Sequence, residues 1–172
     1  MNTCYDRLNI LSSDRHKEML KMQLTLYSDY SLRVLLYLSQ MSKDSATITE
    51  ISDFYEISKN HLVKVVHRLA QLGFIISSRG KGGGIKLAKA SNEITIGEVV
   101  RKTESHFNLV ECFNENTNRC VITNACHLKG ILHQGIEAFF SVLDQYTLAE
   151  GSKTALIKQI TNHLDLNNKR NP

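Results

Sequence analysis

The chain holds a single proline, Pro172 at its very end, and no tryptophan. With no proline ahead of that position, none of its helices is stopped or kinked by one. Long apolar runs are missing too: nothing approaches the roughly 20 residues of a membrane-spanning helix, which excludes a membrane protein. The opening "MNTCYDRLNILSSDRHKEMLK" is charged throughout and lacks the apolar core of a signal peptide. These absences predict a cytoplasmic protein, in which thiols stay reduced and either remain free or bind metal. Four cysteines in 172 residues therefore do not make a disulfide scaffold. No nucleophile and base stand at a motif spacing, so nothing marks the chain as an enzyme.

Acid is also missing from one long stretch. Between Lys59 and Lys89 the charged residues are Lys59, Lys64, Arg68, Arg79, Lys81, Lys86 and Lys89, with no Asp or Glu among them. Acids collect on both sides, as Glu50, Asp53 and Glu56 before the block and Glu93, Glu98, Glu104 and Glu111 after it. The net charge of +4 is modest, but a one-signed block inside a structured region marks a surface for a polyanion. The size, with 42% hydrophobic residues, suits one compact domain or a small domain with an appended helix for self-association.

Helical periodicity appears first in "DYSLRVLLYLSQM" (29–41), with Leu32, Leu35, Leu36 and Leu38 on one side and Ser28 or Asp29 placed to cap the start. In "TITEISDFYEIS", Thr47 and Glu50 form a capping box that opens a second helix, with Ile48, Ile51 and Phe54 inward. After a turn at Glu56 to Ser58, "KNHLVKVVHRLAQLGF" buries Leu62, Val65, Val66, Leu69 and Leu72, and Gly73 supplies the stop. Its outward face carries Lys59, Asn60, His61, Lys64, His67 and Arg68. Two short helices joined by a tight turn, the second basic outside, make a helix-turn-helix whose third helix reads DNA.

The following "FIISSRGKGGGIKLAKA" predicts a hairpin, with Ile75, Ile76, Ile85 and Leu87 flanking a glycine-rich tip. A hairpin directly after a recognition helix is a wing, and Arg79 and Lys81 at its tip suit minor-groove or phosphate contact. A nucleotide-binding loop is excluded, because "RGKGGGIK" fits neither phosphate-binding glycine pattern and precedes a strand. The expected fold is mainly α with a small β-hairpin wing: an extension (1–21), a winged helix-turn-helix DNA-binding domain (22–94), a short helix and cysteine loop (95–127), a dimerisation helix (128–152), and a weak helix with a polar tail (153–172).

The helix after Cys126 carries Leu128, Ile131, Leu132, Gly135, Phe139, Val142, Leu143 and Tyr146 at steps of three and four, with no evident partner in the chain. Burial against the same helix of a second subunit predicts a homodimer, and a two-fold homodimer predicts an inverted-repeat target in double-stranded DNA.

Cys112, Cys120 and Cys126 are separated by seven and five residues in the polar stretch "ECFNENTNRCVITNAC". Structural zinc sites contain a closer cysteine pair than this. The wider spacing fits an iron–sulfur cluster, whose usual ligands are thiolates. Inert cysteines are usually buried, and this segment is too polar to be core. Three thiols leave one ligand open: His106, Glu111, His127 or a residue of another subunit.

From about Met22 to Glu150 the chain resembles the winged-helix iron–sulfur regulators of the IscR and NsrR type, through "LTLYSDYSLR", "ITEISDFYEISKNHLVKVVHRLAQLGFI", "SRGKGGGIKL", the three-cysteine loop and "CHLKGIL". The resemblance implies a dimeric repressor that holds a 2Fe–2S or 4Fe–4S cluster and releases its operator when the cluster is attacked by nitric oxide. One branch of that family takes its fourth ligand from a histidine three residues after the last cysteine, where this chain has Lys129. The nitric-oxide-sensing branch uses an aspartate near the start of the first helix, supplied by the opposite subunit, and Asp29 matches it. The residue-level role of Asp29 is a cap or an i,i+4 partner for Arg33. The family loop generally has five residues between its first two cysteines, where this one has seven. The extension before Met22 has no family counterpart and is consistent with a mis-chosen start codon, Cys4 being incidental. Two rival readings share the architecture: a sensor of iron–sulfur supply, and a cofactor-free regulator using the three cysteines as redox thiols.

Overall fold

The computed structural model describes residues 23–41, 45–78, 80, 83–151, 156 and 158–162. The extension 1–21, the wing-tip residues Arg79 and Lys81, and most of the tail lie outside them. The described chain runs α1 (Leu26–Ser39), α2 (Ile48–Tyr55), α3 (Lys59–Gln71), β1 (Ile75–Ser78), β2 (Gly84–Leu87), α4 (Ile96–Thr103), α5 (His127–Leu143) and α6 (Leu148–Gly151). Residues 158–162 are helical as well. The fold is mainly α with a two-stranded antiparallel wing, as the residue pattern predicts.

α1 starts one turn earlier than the apolar pattern suggests. Its cap is Thr25, whose hydroxyl accepts from the Ser28 N–H at 3.2 Å. The Glu104 carboxylate in turn accepts from the Thr25 N–H (2.7 Å) and Oγ1 (3.0 Å). Ser28 and Asp29 thus lie inside the first turn, and Ser28 is fully buried. The buried face also includes Val34 and Tyr37 beside Leu35 and Leu38, while Leu32 and Leu36 are half-buried against the core.

α2 opens with the expected capping box: the Glu50 N–H donates to Thr47 Oγ1 at 3.1 Å, and the Thr47 N–H donates to Glu50 Oε2 at 2.7 Å. Removing the hydroxyl in Thr47→Ala leaves a first-turn N–H without its acceptor. The substitution is expected to lower unfolding free energy by about 1 kcal/mol, read from urea denaturation. Glu56, left-handed at φ 54°, turns the chain into α3, and Ser52 Oγ donates to the Ile57 carbonyl at 2.7 Å.

α3 buries Leu62, Val65, Val66 and Leu69 against α1 and α2. It stops where expected. Gly73 has φ 76°, its N–H reaches the Ala70 carbonyl, and the Phe74 N–H reaches the Leu69 carbonyl at 3.0 Å. This pair of bonds satisfies the last carbonyls of the helix and delivers buried Phe74 to the core. Ile75 pairs with Leu87 and Ser78 with Gly84 across the wing. Ala46 adds a bridge to Ile85 (2.9 and 2.7 Å), so close that a side chain at Gly84 would lie 2.6 Å from the Ala46 carbonyl oxygen.

One continuous core joins these elements to α4 and α6, with Ile94, Val99, Leu148 and Ile160 buried in it. The helix after Cys126 differs from expectation: it ends at Leu143 rather than running on to residue 152. A turn at Asp144 and Gln145 returns the chain to the winged domain, where Thr95 and Thr147 form a bridge. The Ile96 N–H bonds to the Tyr146 carbonyl and the Leu148 N–H to the Ile94 carbonyl. α6 starts afresh, with the Glu150 carboxylate accepting from the Thr147 N–H at 2.9 Å.

Candidate nucleic-acid interface and cysteine loop

Because α3 buries one face, the helical period turns Lys59, Asn60, His61, Lys64, His67 and Arg68 together to solvent, and all six are exposed. Arg68 is steadied by Gln71, and the His61 ring stacks on Tyr30 of α1 at 6.4 Å. Lys86 and Lys89, on and just beyond β2, are also exposed. No Asp or Glu lies between Lys59 and Lys89, so α3 exposes its cations without a carboxylate of its own, which suits a phosphate backbone.

Asp29 directly precedes Tyr30, the α1 partner of the His61 stack. It is not a cap. Arg33 holds it through both carboxylate oxygens, at 3.0 Å from Nε and 2.8 Å from Nη2, with both side chains partly exposed. The carboxylate in turn holds the Arg33 guanidinium above its ordinary pKa. Arg33 also lies 5.9 Å from the ring centres of Tyr30 and Tyr55. These tyrosine contacts join the first turn of α1 to α2 and to the start of α3. The sequence reading missed them, because they depend on how the helices cross.

The cysteine loop is ordered by its own side chains. Cys112 lies in a short 3-10 turn (Glu111–Phe113) and is buried, contrary to the expectation of a wholly polar, exposed loop. Cys120 is exposed, and Cys126 is half-buried at the cap position of α5. Glu111 Oε1 accepts from the Arg119 N–H at 2.9 Å, which occupies a side chain that composition alone offered as a fourth ligand. His106 accepts weakly from the Asn108 N–H (3.4 Å), and His127 is exposed. Among the described residues no three His, Cys, Asp or Glu side chains are gathered as a metal site. As a donor set, three free thiols in a single loop suit iron. Gathering them requires the loop to close further.

The far end of α5 is clasped to the winged domain. Arg101 on α4 forks onto Asp144, with Nη1 2.6 Å from Oδ1, and lies 4.2 Å over the Phe140 ring. Phe140 is the buried residue of α5 and meets Phe107 edge-on at 4.6 Å. This inward contact was absent from the expected stripe. Of that stripe, Leu128, Ile131, Val142 and Tyr146 are exposed, while Leu132, Phe139 and Leu143 are half-buried. Gly97 has no room for a Cβ beside the Asp144 carboxylate. A cavity of about 550 Å³ between α1, α4, α5 and the segment 104–109 is lined by Leu24, Leu32, Val100, Phe107 and Phe139 among others.

Arg101 holds the Asp144 carboxyl below the usual carboxylate range. A group depressed in the folded state adds stability above its unfolded pKa and loses it as pH falls through the folded one. Asp144→Asn is therefore expected to remove a part of the acid-side loss of stability, read as a flatter Tm against pH below about 4.

No helix among the described residues is long and apolar enough to cross a membrane. Residues 24–153 match the Rrf2 family, described as an iron-dependent transcriptional regulator. Over 130 residues the chain is 52% identical to the HTH-type transcriptional regulator NsrR of Shouchella clausii (strain KSM-K16), covering 75% of this chain and 87% of that one. It is 52% identical over 130 residues to the regulator of the same name from Bacillus subtilis (strain 168), covering 75% and 89%. The fold superposes on T. potens IscR with a TM-score of 0.60 at 21% identity, over 76% of this chain and 85% of that one. With the family matched over most of its length, the chain belongs to the Rrf2 family of transcriptional regulators, and is a DNA-binding regulator rather than an enzyme.

Proposed function

We propose that the chain is a nitric-oxide-responsive iron–sulfur repressor that binds an inverted-repeat operator as a homodimer. The observation that carries this reading is continuity: a loop holding three free thiols runs directly into α5, and the other end of α5 is clasped to α4, which packs on α1 of the DNA-binding domain. In this reading α3 enters the major groove, with Lys59, Asn60, His61 and Lys64 near base edges or phosphates and His67 and Arg68 on the backbone. Arg79 and Lys81 extend the contact from the wing tips. The exposed apolar residues of α5 are covered by a second copy, which sets the separation of the two recognition helices.

Cys112, Cys120 and Cys126 would hold the cluster, and the partner's Asp29 would complete it. The bound cluster, 2Fe–2S or 4Fe–4S, supplies thiolate-held iron, which is open to nitric oxide. To serve, Asp29 must leave Arg33, so the carboxylate chooses between an ion pair within its own α1 and a ligand position on the other subunit. Each choice biases the first turn of α1, which contacts His61 through Tyr30. Linking a binding site to two arrangements of one element in this way is what allosteric coupling requires.

Asp29→Ala tests the assignment: the cluster-free variant is expected to fold and dimerise normally, while the reconstituted one loses its cluster faster than wild type on anaerobic gel filtration. Equal retention would remove Asp29 from the ligand set. A second reading, a cofactor-free thiol switch, draws on the exposure of Cys120 and on the thiols not being gathered in the described chain. Operator binding that survives iron chelation but is lost on mild oxidation would favour it.

A further inference from the structure

We propose that Glu111, Asn118 and Thr123 are positioning residues of the cysteine loop, holding the backbone that carries Cys112 and Cys120 as one folded unit presented to a metal centre. The inference rests on the reading of the cysteines as ligands and adds the side chains that make a long loop able to act as one. Seven residues separate Cys112 from Cys120. A slack polar segment of that length would have to be ordered on every binding event, at an entropic cost for each residue fixed.

The structure shows part of that ordering already made, along the backbone from Cys112 to Cys120, with the three thiols not gathered. The Glu111 carboxylate, next to Cys112, accepts from the N–H of Arg119, next to Cys120, at 2.9 Å, so the two cysteine neighbours are tied directly. Between them the Asn114 carbonyl accepts from the Thr117 and Asn118 N–H groups, and Asn114 Oδ1 accepts from the Asn116 N–H at 3.1 Å. Cys120 itself is held on both sides. Its N–H donates to Asn118 Oδ1 at 3.0 Å, and its carbonyl accepts from Thr123 Oγ1 at 2.8 Å. Asn118 Nδ2 closes the ring by donating to Thr123 Oγ1 at 2.9 Å. Asn118 and Thr123 are half-buried, which keeps water from competing fully for these bonds. Such bonds leave the Cys120 side chain as the free part of a fixed backbone, which is how outer-shell groups support metal ligands.

Cobalt(II) titrated anaerobically into the reduced, cluster-free full chain reads thiolate binding by its charge-transfer absorbance, without requiring an iron–sulfur cluster. Glu111→Ala and Thr123→Val are expected to weaken cobalt binding by about tenfold to a hundredfold. Glu111→Gln and Thr123→Ser, which keep the oxygen acceptor and the hydroxyl respectively, are expected to stay near wild type. Amide hydrogen exchange on the metal-free proteins supplies the independent readout: the Arg119 and Cys120 amides are slow in wild type, Arg119 becomes fast in Glu111→Ala, and Cys120 becomes fast in Asn118→Ala, which removes its Oδ1 acceptor. Fast exchange with unchanged or tighter cobalt binding would overturn the positioning role. Slow amides in a wild type whose thiols bind no cobalt would overturn it differently, by removing the cysteines as ligands while leaving the folded loop intact.

Discussion

Lys59→Ala combined with Lys64→Ala lowers the salt dependence of DNA binding, cutting the slope of log affinity against log salt concentration by about four if the proposed dimer binds its operator. Both lysines stand on the exposed face of α3, opposite the buried Leu62, Val65, Val66 and Leu69, and no carboxylate lies on that face to neutralise them. Each lysine over a phosphate displaces about one condensed counterion, and in the proposed dimer each substitution counts twice. Affinity is expected to fall most at low salt and on all sequences alike, since phosphate contacts carry little base information. Fluorescence anisotropy across a salt series measures this. Lys102→Ala serves as control, because that side chain on α4 is paired with Glu98 at 2.7 Å and packs over Phe74. An equal drop in slope for both variants would place the phosphate-binding surface elsewhere.

Leu69→Ala is expected to cost about 2–5 kcal/mol of unfolding free energy. The side chain is fully buried where α3 meets the wing, and its carbonyl receives the Phe74 N–H that ends the helix. Truncation leaves a cavity at the point that fixes the wing against the recognition helix, in a domain whose whole stability is of order 5–15 kcal/mol. Urea unfolding should show a large fall in midpoint with little change in slope. Val63→Ala, on the same helix but 46% exposed, is expected to change stability by less than about 0.5 kcal/mol. Similar losses at the two positions would contradict the assignment of inner and outer faces, and with it the DNA-facing set.

What could be read from residues alone was what local chemistry decides. The Thr47 and Glu50 box, the α3 stripe and the Gly73 stop each need only neighbours within one or two turns, and each is where the pattern puts it. What escaped depends on partners far along the chain. Thr25 starts α1 with its backbone held by Glu104, 79 residues away. α5 ends at Leu143, where Asp144 pairs with Arg101, 43 residues back, and Thr147 bridges to Thr95, although the apolar period continues through Tyr146. A local sign was available there, since Thr147 and Glu150 repeat the spacing that opened α2. Within the candidate site, the exposed basic face followed from periodicity. The three thiols were legible as candidate ligands by type, but the burial of Cys112 and the side-chain bonds around Cys120 arise from how the loop folds on itself. Arg79 and Lys81 lie outside the described residues, so their contribution stands as part of the proposal.

The measurement that bears most directly on the central claim is anaerobic purification with a visible absorption spectrum, followed by stepwise nitric oxide and an operator-binding assay on the same samples. The expected result is a brown dimer with sulfide-to-iron charge-transfer bands, whose bleaching by nitric oxide and release from an inverted-repeat operator follow the same stoichiometry. A colourless protein that binds the operator equally well before and after nitric oxide would contradict it, leaving a winged-helix regulator whose three cysteines serve another purpose.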